Sequence, residues 1–111
     1  MPLILAIDYD RTIVDTDNIP EGKKLGDPLP DAVESIRILH EAGHKIIIHS
    51  CRSSDGPRAD KVMTDYLDAY GIPYDEVWNK VGKPKADCYL DDLGLRFTSW
   101  SKAMEDIREL N

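Results

Sequence analysis

Leu3-Ile-Leu-Ala-Ile-Asp-Tyr-Asp-Arg-Thr-Ile13 reads as an apolar strand that runs straight into two carboxylates, Asp8 and Asp10. Alternate side chains of an extended segment share a face, so both carboxylates would address one small volume just beyond the strand's carboxyl end. Two like charges this close repel each other, a cost normally tolerated where a cation or a substrate supplies the balance. The segment therefore predicts a central strand with a functional site at its end.

The length and charge of the chain limit the classes of partner that this site could bind. The chain has 111 residues, which suits a single domain over 1–111, and its formal net charge of −7 argues against a general electrostatic grip on nucleic acid or an anionic membrane. The first apolar run is short, lacks a basic flank and carries Asp8, so we expect neither a signal peptide nor a membrane span, and a cytoplasmic location. Two cysteines, Cys51 and Cys88, are expected to be reduced.

The rest of the chain alternates helical and extended patterns. Residues 15–30 are rich in glycine and proline and should form a loop or flap. A helix then begins at Asp31, with Glu34 completing a capping box, and ends at Gly43. Later patterns predict a buried strand at 45–49, a helix from about 59 to 70, short strands at 77–78 and 86–90, and a last helix at 100–110. This order predicts a three-layer α/β/α fold, a parallel sheet with helices on both faces.

In a parallel sheet of this kind, sites form beyond the carboxyl ends of the strands. That edge would receive Asp8 and Asp10, then Ser50, then Asp91 and Asp92, with Lys83 and Lys85 in the loop before the last strand. Carboxylate and carbonyl oxygens are hard ligands that suit Mg²⁺. The histidines at 40, 44 and 49 show no spacing typical of a zinc site, and a helix end running into a strand explains them.

Taken in order, these motifs resemble those of the haloacid dehalogenase (HAD) superfamily of phosphohydrolases. The first is Asp8-Tyr-Asp10-Arg-Thr12, the second the strand that ends in Ser50, the third Lys83 in Gly-Lys-Pro-Lys, and the fourth Tyr-Leu-Asp91-Asp92. Each motif alone is weak evidence, and the ordered set covers nearly the whole chain. The resemblance implies a HAD-like core and a Mg²⁺-dependent phosphomonoester hydrolase.

The resemblance also implies roles. Asp8 would be the nucleophile that forms an aspartyl-phosphate, and Asp10 the acid and then the base. Lys83 would balance charge and Ser50 would donate a hydrogen bond to a phosphoryl oxygen. The Mg²⁺ ligands would be Asp8, Asp10, Asp91 and Asp92.

Further residues near these motifs are candidate contacts for a phosphorylated substrate: Thr12, Arg11, Cys51, Arg52 and Lys85. Lys85 competes with Lys83 for the cationic role, because both lie in one short loop. Arg11 departs from the family pattern, in which a glycine is usual. We expect a conventional backbone at Arg11, because arginine adopts a positive φ only at a cost.

The intervals between the motifs are too short for a cap domain. An uncapped site is typical of relatives that act on large substrates or whose site a neighbouring subunit covers, which favours a homo-oligomer. The alternative reading is a catalytically weak or silent HAD-fold module that binds or regulates. A receiver-like signalling domain is disfavoured because its phospho-acceptor comes from a middle strand, whereas the middle strand here ends in Ser50.

Overall fold

The computed structural model describes residues 2–22, 25–50, 57–78, 84–90 and 99–110. In these ranges the chain forms one four-stranded sheet and three helices. In chain order the elements are β1 (Ile4–Asp8), α1 (Ala32–Glu41), β2 (Lys45–His49), α2 (Pro57–Ala69), β3 (Glu76–Val77), β4 (Cys88–Leu90) and α3 (Trp100–Leu110). The predicted α/β class is confirmed, although β3 begins one residue earlier than expected and β4 two residues later.

The sheet is parallel throughout, in the order β3-β2-β1-β4. The segment that opens the chain therefore forms an inner strand with a parallel neighbour on each side. The three middle residues of β1 are apolar and buried, as expected for a strand with a parallel neighbour on each side. All four strands consequently end at one edge of the sheet, and β1 ends at the centre of that edge.

One face of the sheet carries the main core. Strand register places Leu5 beside Ile46 and Cys88, and Ile7 beside Ile48 and Leu90. These side chains belong to one cluster with apolar residues of all three helices, among them Ile36, Met63, Leu67, Trp100 and Ile107. The described helices thus pack into the core of this one face, and the expected three-layer arrangement stays a prediction.

The start of α1 differs from the expected capping box. Asp31 has φ 66°, in the left-handed region, and its side chain makes no capping hydrogen bond. The entry to the helix is closed by backbone instead, since Ala32 N–H donates to the Leu29 carbonyl at 3.0 Å. The prediction of a carboxylate cap at Asp31 was wrong because the local backbone turns the residue away from the extended conformation that such a cap requires.

The apolar spacing that predicts α2 includes Val62, Met63, Tyr66 and Leu67. Met63, Tyr66 and Leu67 are buried as expected, whereas Val62 is 47% exposed. The core-facing side of this helix is thus narrower than its sequence pattern.

The opposite, amino edge of the sheet is closed by side-chain acceptors. Asp87 accepts the Ile4 N–H at 2.8 Å and Asp75 accepts the Ile46 N–H at 2.8 Å. In return, the backbone N–H of Asp87 donates to the Ile4 carbonyl, and that of Asp75 donates to the Ile46 carbonyl. These pairs stabilise the beginnings of β1 and β2. Among the described residues, no helix is long and apolar enough to span a bilayer.

Candidate active site

The candidate site lies where β1 ends. Asp8, the last residue of the strand, is half-buried, and its Oδ1 accepts the N–H of Tyr9 at 2.9 Å. The Tyr9 N–H also lies 3.2 Å from the His49 carbonyl, which ties this point to the neighbouring strand. The backbone around the first acid is therefore fixed by two acceptors.

The second acid meets the end of β2. The Ser50 hydroxyl donates to Asp10 Oδ2 at 3.4 Å, across 40 residues of chain. Both side chains are half-buried. The structure thus brings together residues of the first and second predicted motifs, because β1 and β2 are parallel neighbours that end at the same edge.

Sequence reasoning missed His49. Its Cα is in register with that of Asp8 on the adjacent strand, so the two side chains lie on the same face of the sheet, and His49 is half-buried. A helix end that runs into a strand accounts for the histidines at 40, 44 and 49 in the sequence, but it does not show that His49 has an acid beside it. The available signal was its position directly before Ser50, because parallel pairing then places it beside an acid of β1.

The turn that follows the strand holds Arg11 in an unexpected conformation. Arg11 has φ 64°, so the prediction of a conventional backbone was wrong. The turn requires this angle because Arg11 N–H donates to the Val14 carbonyl at 2.9 Å while Ile13 N–H and Val14 N–H both donate to the Tyr9 carbonyl, at 3.0 and 3.1 Å. A left-handed residue in such a turn is usually glycine, and arginine here carries a backbone strain.

The Arg11 side chain is exposed and turns towards residues 15–18. Its Nε donates to Thr16 Oγ1 at 3.3 Å, and its guanidinium lies 3.6 Å from the Asp17 carboxylate. Both partners of the ion pair are more than two-thirds exposed, so the contact contributes little to stability.

Thr12 and Lys85 occupy positions of different kinds. Thr12 is 3% exposed, and its carbonyl accepts Trp100 Nε1–H at 3.0 Å, so it belongs to the interior of the turn and its contact with a substrate stays a prediction. Lys85 is exposed and precedes Asp87 by two residues, at the amino edge of the sheet. Its contact with a substrate stays a prediction.

The remaining predicted site residues, Lys83, Asp91, Asp92, Cys51 and Arg52, lie outside the described residues. Leu90, which directly precedes the second acidic pair in sequence, is in register with Ile7, which directly precedes Asp8. The strand leading to that pair is therefore the immediate neighbour of β1.

A Mg²⁺ ion at this edge of the sheet would need several oxygen ligands. In the described ranges, no group of three or more His, Cys, Asp or Glu side chains is placed to hold a metal ion. Asp8 and Asp10 supply carboxylate oxygens, which suit Mg²⁺, and a third carboxylate would have to come from Asp91 or Asp92. The described donors fit part of a magnesium shell.

A flap, residues 15–30, adjoins the site and is described except for residues 23 and 24. Asp15 organises its first turn, because Oδ1 accepts the N–H groups of Asp17 and Asn18 at 2.9 and 3.0 Å, and Oδ2 accepts from the Asn18 side chain at 3.3 Å. The backbone N–H groups of Asn18 and Asp17, and then the Asn18 side chain, lower the pKa of Asp15. The predicted loop is thus an ordered turn at this end.

Solved structures of other proteins are similar to the fold of this chain. A conserved protein from Bacteroides thetaiotaomicron is similar to the chain with a TM-score of 0.78 and 23% sequence identity, over 100% of this chain and 93% of that one. A crystal structure of a target protein from Vibrio cholerae is similar with a TM-score of 0.60 and 26% identity, over 96% and 95%. Their descriptions name no function. No protein-family model matches the chain, and no curated protein matches it.

Proposed function

We propose that the protein is a Mg²⁺-dependent phosphomonoester hydrolase with a HAD-like three-layer core, working through an aspartyl-phosphate. The observation that carries the proposal is the meeting of Asp10 and Ser50 at the end of β1, beside Asp8. A solvated acidic strand end would need no hydroxyl from a neighbouring strand. The reaction itself is proposed from the resemblance of the ordered motifs to those of HAD phosphohydrolases.

In the proposed reaction, Asp8 Oδ attacks the phosphorus of a phosphomonoester. The P–O bond to the leaving group breaks, and Asp10 transfers a proton to the departing oxygen. Asp10 then accepts a proton from the water that attacks the aspartyl-phosphate, which regenerates Asp8 and releases inorganic phosphate. The Ser50 hydroxyl, 3.4 Å from Asp10 Oδ2, would rotate to donate to a phosphoryl oxygen.

Two further groups complete the proposal from the family resemblance. Lys83 would balance the negative charge of the nucleophile and the phosphate. A Mg²⁺ ion held by Asp8, Asp10, Asp91 and Asp92 would neutralise charge on the transferring group when it is bound. The register of β4 against β1 supports this assignment, because the strand that leads to the second acidic pair runs next to the first.

The site would be open, since residues 15–30 form a flap rather than a cap domain. We therefore propose a phosphorylated substrate that projects its phosphate past this flap, either a small metabolite or an exposed phosphate on a larger molecule. A homo-oligomer in which a neighbouring subunit covers the opening is the structural alternative to a large substrate. Light scattering that finds a monomer active on small esters would contradict that alternative.

The test is Mg²⁺-dependent phosphate release from 4-nitrophenyl phosphate. Asp8→Asn keeps the shape of the side chain and removes the nucleophilic charge, so activity should fall to the background rate. Asp65→Asn is the matched control, because Asp65 is an exposed helical acid paired with Lys61 and should keep full activity. Undiminished turnover by Asp8→Asn would refute the assignment of the nucleophile.

The same assay separates the enzyme from a silent binding module. Arg11 motivates that second candidate, because a strained arginine replaces the glycine usual in the resembling family. Phosphate release that requires both Mg²⁺ and Asp8 would exclude the silent module. A folded wild-type protein without turnover on a panel of nucleotides, sugar phosphates and nucleic-acid ends would favour it.

A further inference from the structure

Tyr66 of α2 contacts both the candidate site and the flap. Its ring, 9% exposed, packs edge-on against Tyr9, the residue between the two acids, with ring centroids 5.8 Å apart and planes at 81°. Its phenol donates to the Gly26 carbonyl at 2.7 Å, across 40 residues of chain. One side chain therefore links the acid-bearing strand end to the far part of the flap.

Gly26 in turn packs against Asp15, at the beginning of the flap. A Cβ at Gly26 would lie 1.8 Å from the Asp15 carbonyl oxygen, so the two backbones touch and no side chain fits between them. Next to this contact, Asp15 N–H donates to the Asp27 carbonyl at 2.9 Å, and Leu29 N–H donates to the Ile13 carbonyl at 2.8 Å. A shift of Gly26 would therefore move residues 13–15 as well.

Residues 13–15 in turn hold Asp10. Asp10 and Val14 form a β-bridge, and the Val14 carbonyl accepts the N–H of Arg11, the next residue. The backbone of the second acid is thus supported from the side of the flap. Tyr66 reaches it by two routes, through the ring of Tyr9 and through Gly26.

We propose that Tyr66 is a positioning residue for the hydrolase reaction: it holds the flap and Asp10 in the arrangement that proton transfer to the leaving group needs. The inference rests on the proposed function. It follows that loss of the phenol oxygen impairs the acid step more than the attack by Asp8, whose own backbone is fixed by Tyr9 and by the neighbouring strand.

Tyr70 supports the same contact from the outer side. Its ring lies 4.7 Å from that of Tyr66, and its phenol donates to Asp27 Oδ1 at 3.1 Å in an exposed position. Because water can replace this outer hydrogen bond, Tyr70→Phe should affect the reaction less than Tyr66→Phe. The larger effect of Tyr66→Phe is expected because the hydrogen bond from Tyr66 to Gly26 is buried, whereas that from Tyr70 to Asp27 is exposed.

The experiment compares Tyr66→Phe with Tyr74→Phe, a matched loss of one phenol oxygen from a tyrosine in the α2–β3 connection. Each variant is assayed with Mg²⁺ on 4-nitrophenyl phosphate, whose leaving group is stable as an anion, and on phenyl phosphate, whose leaving group needs a proton. We expect Tyr66→Phe to lower kcat/KM, which reports the step that expels the leaving group, about tenfold on phenyl phosphate, with a clearly smaller loss on the activated ester. Tyr74→Phe should match wild type on both.

Hydrogen exchange on the same proteins measures the anchor without any substrate. The amides of Asp15 and Leu29, which donate across the flap, should exchange faster in Tyr66→Phe and unchanged in Tyr74→Phe. A merely structural role, which lowers the active fraction, would reduce kcat/KM by the same factor on both esters.

The outcomes separate the two proposals. Equal losses on the two esters, or none, in an active enzyme would overturn the positioning role and leave the proposed function standing. If wild type releases no phosphate, the proposed function fails, and exchange alone then judges the anchor: faster exchange in Tyr66→Phe supports it, and unchanged exchange overturns it.

Discussion

Replacing Arg11 by glycine should stabilise the protein relative to replacing it by alanine. Both substitutions remove the contacts with Thr16 and Asp17 and differ only in whether a Cβ is present at φ 64°. An L-residue in the left-handed region costs roughly 1–2 kcal/mol, and the greater freedom of glycine in the unfolded chain returns part of that difference. We therefore expect Arg11→Gly to exceed Arg11→Ala by about 1 kcal/mol in the free energy of unfolding.

The sign of this difference distinguishes backbone strain from a general effect of glycine. Arg37 is an exposed residue within α1, where glycine should be less stable than alanine by about 1 kcal/mol. The comparison of Arg37→Gly with Arg37→Ala therefore serves as a matched control of opposite sign. Its hydrogen bond to the Gly71 carbonyl is lost in both variants.

Urea unfolding followed by tryptophan fluorescence measures the four variants. Because the pairs have the same surface, their m-values should agree, and the difference should appear in the midpoints. If Arg11→Gly proves no more stable than Arg11→Ala while the Arg37 pair behaves as expected, the turn does not strain Arg11, and our account of the loop after Asp10 is wrong.

Two other predictions concern the flap. Burial, followed by the nearby Tyr70 and Tyr9, raises the pKa of the Tyr66 phenol, so the folded protein holds it neutral where the unfolded chain ionises it. The raised pKa contributes its full stability below about pH 10, and this contribution declines as the pH rises above that value. The free energy of unfolding, measured by chemical denaturation from about pH 9 to pH 11, should therefore fall more steeply for wild type than for Tyr66→Phe. Parallel pH dependence of the two proteins would contradict this prediction. Gly26→Ala should destabilise the protein by about 3 kcal/mol, because its Cβ would meet the Asp15 backbone oxygen at 1.8 Å. Gly22→Ala is the comparison: its Cβ has open space, so it should lose only the roughly 1–2 kcal/mol that an L-residue costs at its φ of 83°. Equal losses of the two variants in thermal unfolding would contradict the steric argument at Gly26.

Local patterns in the sequence predict which segments form helices and strands, and at which edge of the sheet Asp8 and Asp10 lie. The apolar run before Asp8 and the β-branched residues before Ser50 predict buried parallel strands, and parallel strands share a carboxyl edge. Helix α3 was expected at 100–110 and is observed there, because its apolar spacing and its ends are local features. The same reasoning predicts that Asp10 and Ser50 reach one edge, whereas the hydrogen bond between them is seen only in the structure.

Only the tertiary structure decided which groups surround the acids and how the turn after them is built. The register between β1 and β2 sets His49 beside Asp8, and register depends on backbone pairing that no single segment encodes. The positive φ of Arg11 belongs to a turn in which Arg11 N–H donates to the Val14 carbonyl, and this turn is held in place by the bridge between Val14 and Pro28 of the flap. The sequence determined the chemistry that reaches the sheet edge, whereas contacts between distant segments, such as Tyr66 with Gly26, determined how that chemistry is held. The physical reason is that propensity acts over a few neighbouring residues, while these contacts join parts of the chain 40 residues apart.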